Sequence, residues 1–162
     1  MRDPQDEQLA NDPKADCEVL ANHVIPFAEQ MLRTHGEFFP FGAAMRPDGQ
    51  LVPVAGYDGD EHPQSADLIR LIKEGFIQSA RQGRYKATAL AYDTRLTTAG
   101  ESSDAIAVSL NHRDNYSVIA FFPYTISDGN VTIGAAFAEK GEADIFLPPS
   151  NSWWTRVLSW RW

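Results

Sequence analysis

The run from Ala105 to Phe137, AIAVSLNHRDNYSVIAFFPYTISDGNVTIGAAF, decides the fold. Ile106, Val108 and Leu110 alternate with smaller residues, the two-residue period of a strand with one buried face. His112–Asn115 reads as a tight turn at a hairpin tip. Tyr116–Ile126 is apolar at both parities: Tyr116, Val118, Phe122 and Tyr124 share one face, Ile119 and Phe121 the other. Such a strand belongs to a sheet covered on both sides, or covered on one and carrying a binding surface on the other. Phe122 is expected in the core. Asp128-Gly129-Asn130 is a hairpin turn that leads into a strand over Val131–Phe137.

Upstream, Tyr85–Leu96 predicts a further strand, with Thr97–Ser103 a polar loop. The stripe Leu68, Leu71, Ile72, Phe76 and Ala80 predicts a helix from Pro63, favoured at a first helical position, to about Arg81. Glu37–Arg46 and Gln50–Tyr57 flank the turn Pro47-Asp48-Gly49 and form a hairpin. Pro40 and Pro53 cannot donate to a ladder, so at least one of its strands is an edge. Leu20, Val24, Phe27 and Met31 give an apolar stripe to a helix over Asp16–His35, with Gly36 as its C-terminal cap. Pro26 predicts a kink or restart inside it.

The order is α-β-β-α-β-β-β-β. The expectation is an α+β domain over residues 14–147, with an antiparallel sheet of about five to six strands and two main helices. Residues 1–13 are expected to form a flexible lead-in, and 148–162 a Trp-rich C-terminal segment. The element order resembles that of profilin and roadblock modules, folds that serve as binding platforms.

The chain of 162 residues has 14 Lys and Arg against 22 Asp and Glu, a net charge of −8. This argues against nucleic acid, whose phosphates need clustered positive charge. The excess sits in residues 1–18, with six acids against two bases, and in 58–67, with Asp58, Asp60, Glu61 and Asp67 and no base. A single cysteine, Cys17, excludes an internal disulfide and a multi-thiolate zinc site. No apolar run approaches the length of a membrane span, and the acidic start lacks the apolar centre of a secretory signal. These features lead to the expectation of a cytoplasmic protein.

Phe38-Phe-Pro-Phe-Gly-Ala43, Gly56-Tyr-Asp-Gly-Asp-Glu-His62, Asp104-Ala-Ile-Ala-Val-Ser-Leu110 and His112-Arg-Asp-Asn-Tyr-Ser117 resemble an uncharacterised family of small bacterial cytoplasmic proteins. Gly134–Phe137 with Gly141 and Phe146 is similar to that family's C-terminal stretch, and the resemblance covers about residues 20–146. It implies a stand-alone cytoplasmic protein and supplies no activity. The small acidic form also looks like immunity proteins that neutralise bacterial toxins.

Asp58, Asp60, Glu61 and His62 are the densest candidate cluster. Alternating oxygen ligands suit a hard cation, but the calcium-loop pattern fails at Pro63 and Ile69, where it requires Gly and Glu. No metal or other cofactor is therefore expected. His112-Arg113-Asp114 spells a kinase catalytic triplet without the glycine-rich loop, strand lysine or Asp-Phe-Gly that must accompany it. No Ser lies in a Gly-x-Ser-x-Gly elbow, and Cys17 sits in an acidic stretch that raises a thiol pKa. Trp153, Trp154, Trp160 and Trp162 crowd ten residues with Arg156 and Arg161, the residue types that anchor interfaces.

The expected function is a non-catalytic binding protein, immunity- or adaptor-like, acting through a protein partner or as a homo-oligomer. Asp58, Asp60, Glu61, His62, Trp153 and Trp154 are its candidate partner-binding residues, and no catalytic residue is assigned. The alternative is a small hydrolase or metal-dependent enzyme built on loop 58–62 and His112.

Overall fold

The structure, a computed structural model, describes residues 12–56, 59 and 61–147. Its elements are α1 (Pro13–His35), β1 (Phe41–Met45), β2 (Leu51–Ala55), α2 (Ser65–Arg81), β3 (Ala87–Thr98), β4 (Glu101–His112), β5 (Tyr116–Ser127), β6 (Asn130–Ile133) and β7 (Phe137–Lys140). The strands form one antiparallel sheet in the order β2-β1-β3-β4-β5-β6, with β7 also on β5. The α+β class holds, with seven strands rather than five to six.

The seventh strand arises from a bulge. Tyr124 pairs with Ile133 and Phe121 with Phe137, so Phe122 and Pro123 are faced by three residues, 134–136. Pro123 has no N–H to give, and only its carbonyl is used, accepting from the Gly134 N–H at 2.7 Å. One extra residue in a ladder reverses which face the later side chains take. Val131 and Ile133 therefore pack on the α1 side, while Phe137 stacks on Phe121 on the opposite face at 5.2 Å.

α1 begins at Asp12, whose carboxylate accepts from the Lys14 N–H, with Pro13 in the first turn. Gly36 closes it at φ 74°, its N–H on the Leu32 carbonyl. The helix continues through Pro26, which is exposed, without a restart. Its buried stripe is Cys17, Leu20, Ala21, Val24, Ala28 and Leu32. Phe27 falls outside this stripe at 48% exposed. Ala87, Ala89 and Ala91 face it from β3 and join Ile106, Val108 and Leu110 in that core. Phe122 packs against this core only partly buried, short of the full burial expected.

α2 starts at Ser65, two residues after Pro63, and puts Leu68, Ile72 and Phe76 against the other face. Gly42 permits that approach: a Cβ there would lie 2.7 Å from Phe76 Cζ and 2.9 Å from the Ala89 carbonyl oxygen. The expected polar loop at 97–103 is a two-residue turn instead. Ala99 and Gly100 both take positive φ, as the tight turn of a twisted hairpin requires, and β3 and β4 run to its edge.

Candidate functional site

Three places gather chemistry. The first is a sealed charge cluster between α1 and the sheet. Asp16, in the first turn of α1, accepts from His112 Nε2 at 2.9 Å and pairs with Lys86 Nζ at 3.1 Å, both on the same Oδ2. His112 Nδ1 accepts the Asp114 N–H at 3.1 Å, which leaves the proton on Nε2 to donate to Asp16. Both ring nitrogens are thus occupied, and the imidazole side chain is 0% exposed. His112 is the buried last residue of β4 rather than part of an exposed tip; the turn is Arg113–Asn115, with Asn115 at φ 59°. Next to Asp16, Cys17 is fully enclosed, and burial, followed by the Asp16 charge, pushes its thiol up to about 12. This cluster ties helix to sheet, with the His112 ring closed off from solvent and the Asp16 carboxylate 17% exposed.

The second is an apolar groove of about 430 Å³ where α1 meets the β1–β2 hairpin. Val24, Phe27, Phe41, Pro53, Val54 and Ala55 line it, with His23 also at its wall. Phe27 and Phe41 meet edge to face at 4.8 Å, so the half-exposed Phe27 ring forms a fixed lip. The neighbouring edge is blunted. The Arg46 N–H to Gln50 carbonyl bond sets the alternation of the ladder, which leaves Pro53 in a non-hydrogen-bonded pair with Ala43. The proline nitrogen faces outward, where an added strand would need a donor. The groove therefore favours an inserted side chain over an added strand.

The third lies on the α2 face. After β7 the chain crosses that face as a strap, residues 141–147. Gly141 lies so close to β5 that a Cβ would sit 2.7 Å from Ser117 Oγ and 2.9 Å from the Val118 nitrogen. Ser117 Oγ donates to the Glu142 carbonyl, and Ile145 buries in the α2-side core. Lys73 Nζ on α2 meets Asp144 Oδ2 at 2.7 Å. Asp144 Oδ1 is buried with no hydrogen-bond partner, the one such side-chain atom among the described residues. Between strap and helix lies a cavity of about 270 Å³, with Tyr92, Ser109 and Ile119 as floor and Ile69, Lys73 and Glu142 as walls. Burial raises the Tyr92 phenol above its ordinary value; Lys73 opposes this and Glu142 adds to it. Tyr92 therefore remains a protonated donor at neutral pH.

The residues singled out by sequence are scattered across this picture. Glu61 and His62 are exposed ahead of α2. Asp58, Asp60, Trp153 and Trp154 lie outside the described residues. Among the described residues no three His, Cys, Asp or Glu side chains gather as a metal site, and no helix is long and apolar enough to cross a membrane. Asp16 and Lys86, which complete the His112 cluster, lie 96 and 26 positions from it, and no local pattern marks them. Phe27 belongs to the apolar stripe of the sequence but lies outside the buried stripe of the helix. No family model, curated protein or solved structure matches the chain.

Proposed function

We propose that this is a non-catalytic binding protein that acts through a protein partner, in the manner of an adaptor or immunity protein, in the cytoplasm. The observation that carries the reading is the apolar groove with its Phe27 lip, open on the surface beside a strand edge that Pro53 closes to pairing. A groove of this kind takes one or two large apolar side chains and excludes water around them. The acidic stretch 58–67 begins three residues after the groove residue Ala55. The partner segment it fits is an apolar anchor with basic flanks, whose charges speed encounter and set orientation. A histidine whose two nitrogens are engaged and whose ring is enclosed favours this reading over the hydrolase built on His112.

The test uses the full chain as bait in native lysate, alongside Phe27→Glu. Phe27 is half-exposed, so the variant folds with an unchanged circular dichroism spectrum. A protein held by the native chain and lost with Phe27→Glu supports the reading. Retention by both baits, or no retained protein, overturns it.

A further inference from the structure

We propose that the cavity under the strap binds a small zwitterion, an α-amino acid with an apolar side chain. The site stands apart from the groove, on the opposite face of the sheet and built by different elements.

The polar groups converge there unpaired. Lys73 has three donors and Asp144 Oδ2 takes one. Tyr92 and Ser109 bring hydroxyls that have no hydrogen-bond partner among the described residues. The Glu142 carboxylate stands exposed at the rim, with no protein partner among the described residues, since the strap is held through its backbone carbonyl. Donors in excess on one side and a lone carboxylate on the other form a dipolar lining. Ile69 and Ile119 supply the apolar wall between.

Charge narrows the ligand further. Asp144 already offsets Lys73, and Glu142 leaves the site with one net negative charge. A simple carboxylic acid would gain the Lys73 and hydroxyl donors but face both acids. A simple amine would satisfy Glu142 and leave those donors unused. An amino acid matches both halves: its carboxylate to Lys73, Tyr92 and Ser109, its ammonium to Glu142, its side chain to the two isoleucines. Size agrees, because about 270 Å³ lies just under the range of pockets that take drug-sized ligands, about 300–1,000 Å³, and so suits a smaller ligand.

The assembly of the site supports a role beyond packing. The bulge at 134–136 turns Phe137 of β7 toward this face, and Gly141 lets the strap after β7 lie close on β5, with Ser117 Oγ donating to the Glu142 carbonyl. The strap thereby brings a rim carboxylate, Glu142, to the same opening as Lys73, Tyr92 and Ser109.

The experiment is calorimetric titration and thermal melting of the full chain with L-leucine, L-methionine and L-phenylalanine at up to about 10 mM, together with two half-ligands of leucine, 3-methylbutylamine and 4-methylpentanoate. At least one amino acid binds and raises the melting temperature, and the half-ligands of leucine bind about tenfold or more weaker than leucine itself. Glu142→Gln and Tyr92→Phe leave the strap contacts in place; each weakens the amino acid about tenfold, and Glu142→Gln does not weaken 4-methylpentanoate. No binding by any of the three amino acids overturns the proposal. So does equal binding to Glu142→Gln, or a half-ligand as tight as leucine.

Discussion

Lys73 Nζ and Asp144 Oδ2, 71 residues apart in the chain, meet at 2.7 Å and fasten the strap to the middle of α2. Each side chain is about one-third exposed, so the pair is screened and modest in strength. Its loss has a second cost, because it leaves Asp144 with neither oxygen partnered. Lys73→Met should lower stability by about 1 kcal/mol in urea titration. It should also speed amide exchange across 142–147 while β4 exchanges as before. Unchanged exchange there would show that Ile145 and Gly141 hold the strap without the ion pair.

Three glycines make contrasting predictions. Gly141→Ala drives a Cβ into Ser117 Oγ and the Val118 backbone, and backbone cannot step aside. The expected loss is about 1–3 kcal/mol. Gly42→Ala meets Phe76 and the Ala89 carbonyl and should cost a similar amount. Gly75 sits within α2 with nothing within 4 Å of an added Cβ, so Gly75→Ala should stabilise by about 0.5–1 kcal/mol. Melting curves of the three variants check both signs.

The sealed cluster predicts strong coupling. Asp16→Ala strands the Lys86 ammonium, 8% exposed, without its counter-charge, at a cost of about 3–5 kcal/mol. Replacing both partners by apolar residues, Asp16→Leu with Lys86→Met, should cost clearly less than Asp16→Ala alone. A double variant as unstable as the sum of the singles would mean that the two charges do not depend on each other.

Cys17 predicts an alkaline limb. Its folded pKa, about 12, lies above the unfolded 9.0, so the folded chain keeps a proton that the unfolded chain gives up. The associated stability is whole below pH 9.0 and falls as pH rises toward 12, by about 1.4 kcal/mol per unit. Cys17→Ala lacks this term, so its stability should decline less steeply from pH 9.5 to 11 than that of the native chain, a window inside those two pKa values. In the native state Cys17 should also resist alkylation until urea unfolds the chain.

Much of the framework is legible from residue patterns. The Ala105–Phe137 run announces antiparallel strands because alternation and turn residues are local properties. Gly36 marks the end of α1 for the same reason, whereas its start lies at Pro13, capped by Asp12, three residues ahead of the expected Asp16 and at the edge of the expected lead-in. What is not legible depends on partners across the ladder. Gly134-Ala135-Ala136 looks like continuing strand, and only the missing N–H of Pro123 opposite breaks it. Phe27 looks like core until alanines on α1 and β3 bring helix and sheet together along another line. The strap sequence, GEADIFL, shows no period at all, so nothing in the order of its residues points to the cavity beneath it.

The bulge separates two kinds of tolerance. Ala135 and Ala136 are exposed, so their identities are nearly free. Their number matters in steps. Losing one leaves two residues facing Phe122 and Pro123, so the ladder closes without a bulge and Phe137 still opposes Phe121. Losing two would set Phe137 opposite Phe122, turn it toward α1, and carry the strap to the wrong side of the sheet. In related chains this stretch should vary in composition and hold two or three residues but not one, a signature of spacing that side-chain comparison would miss.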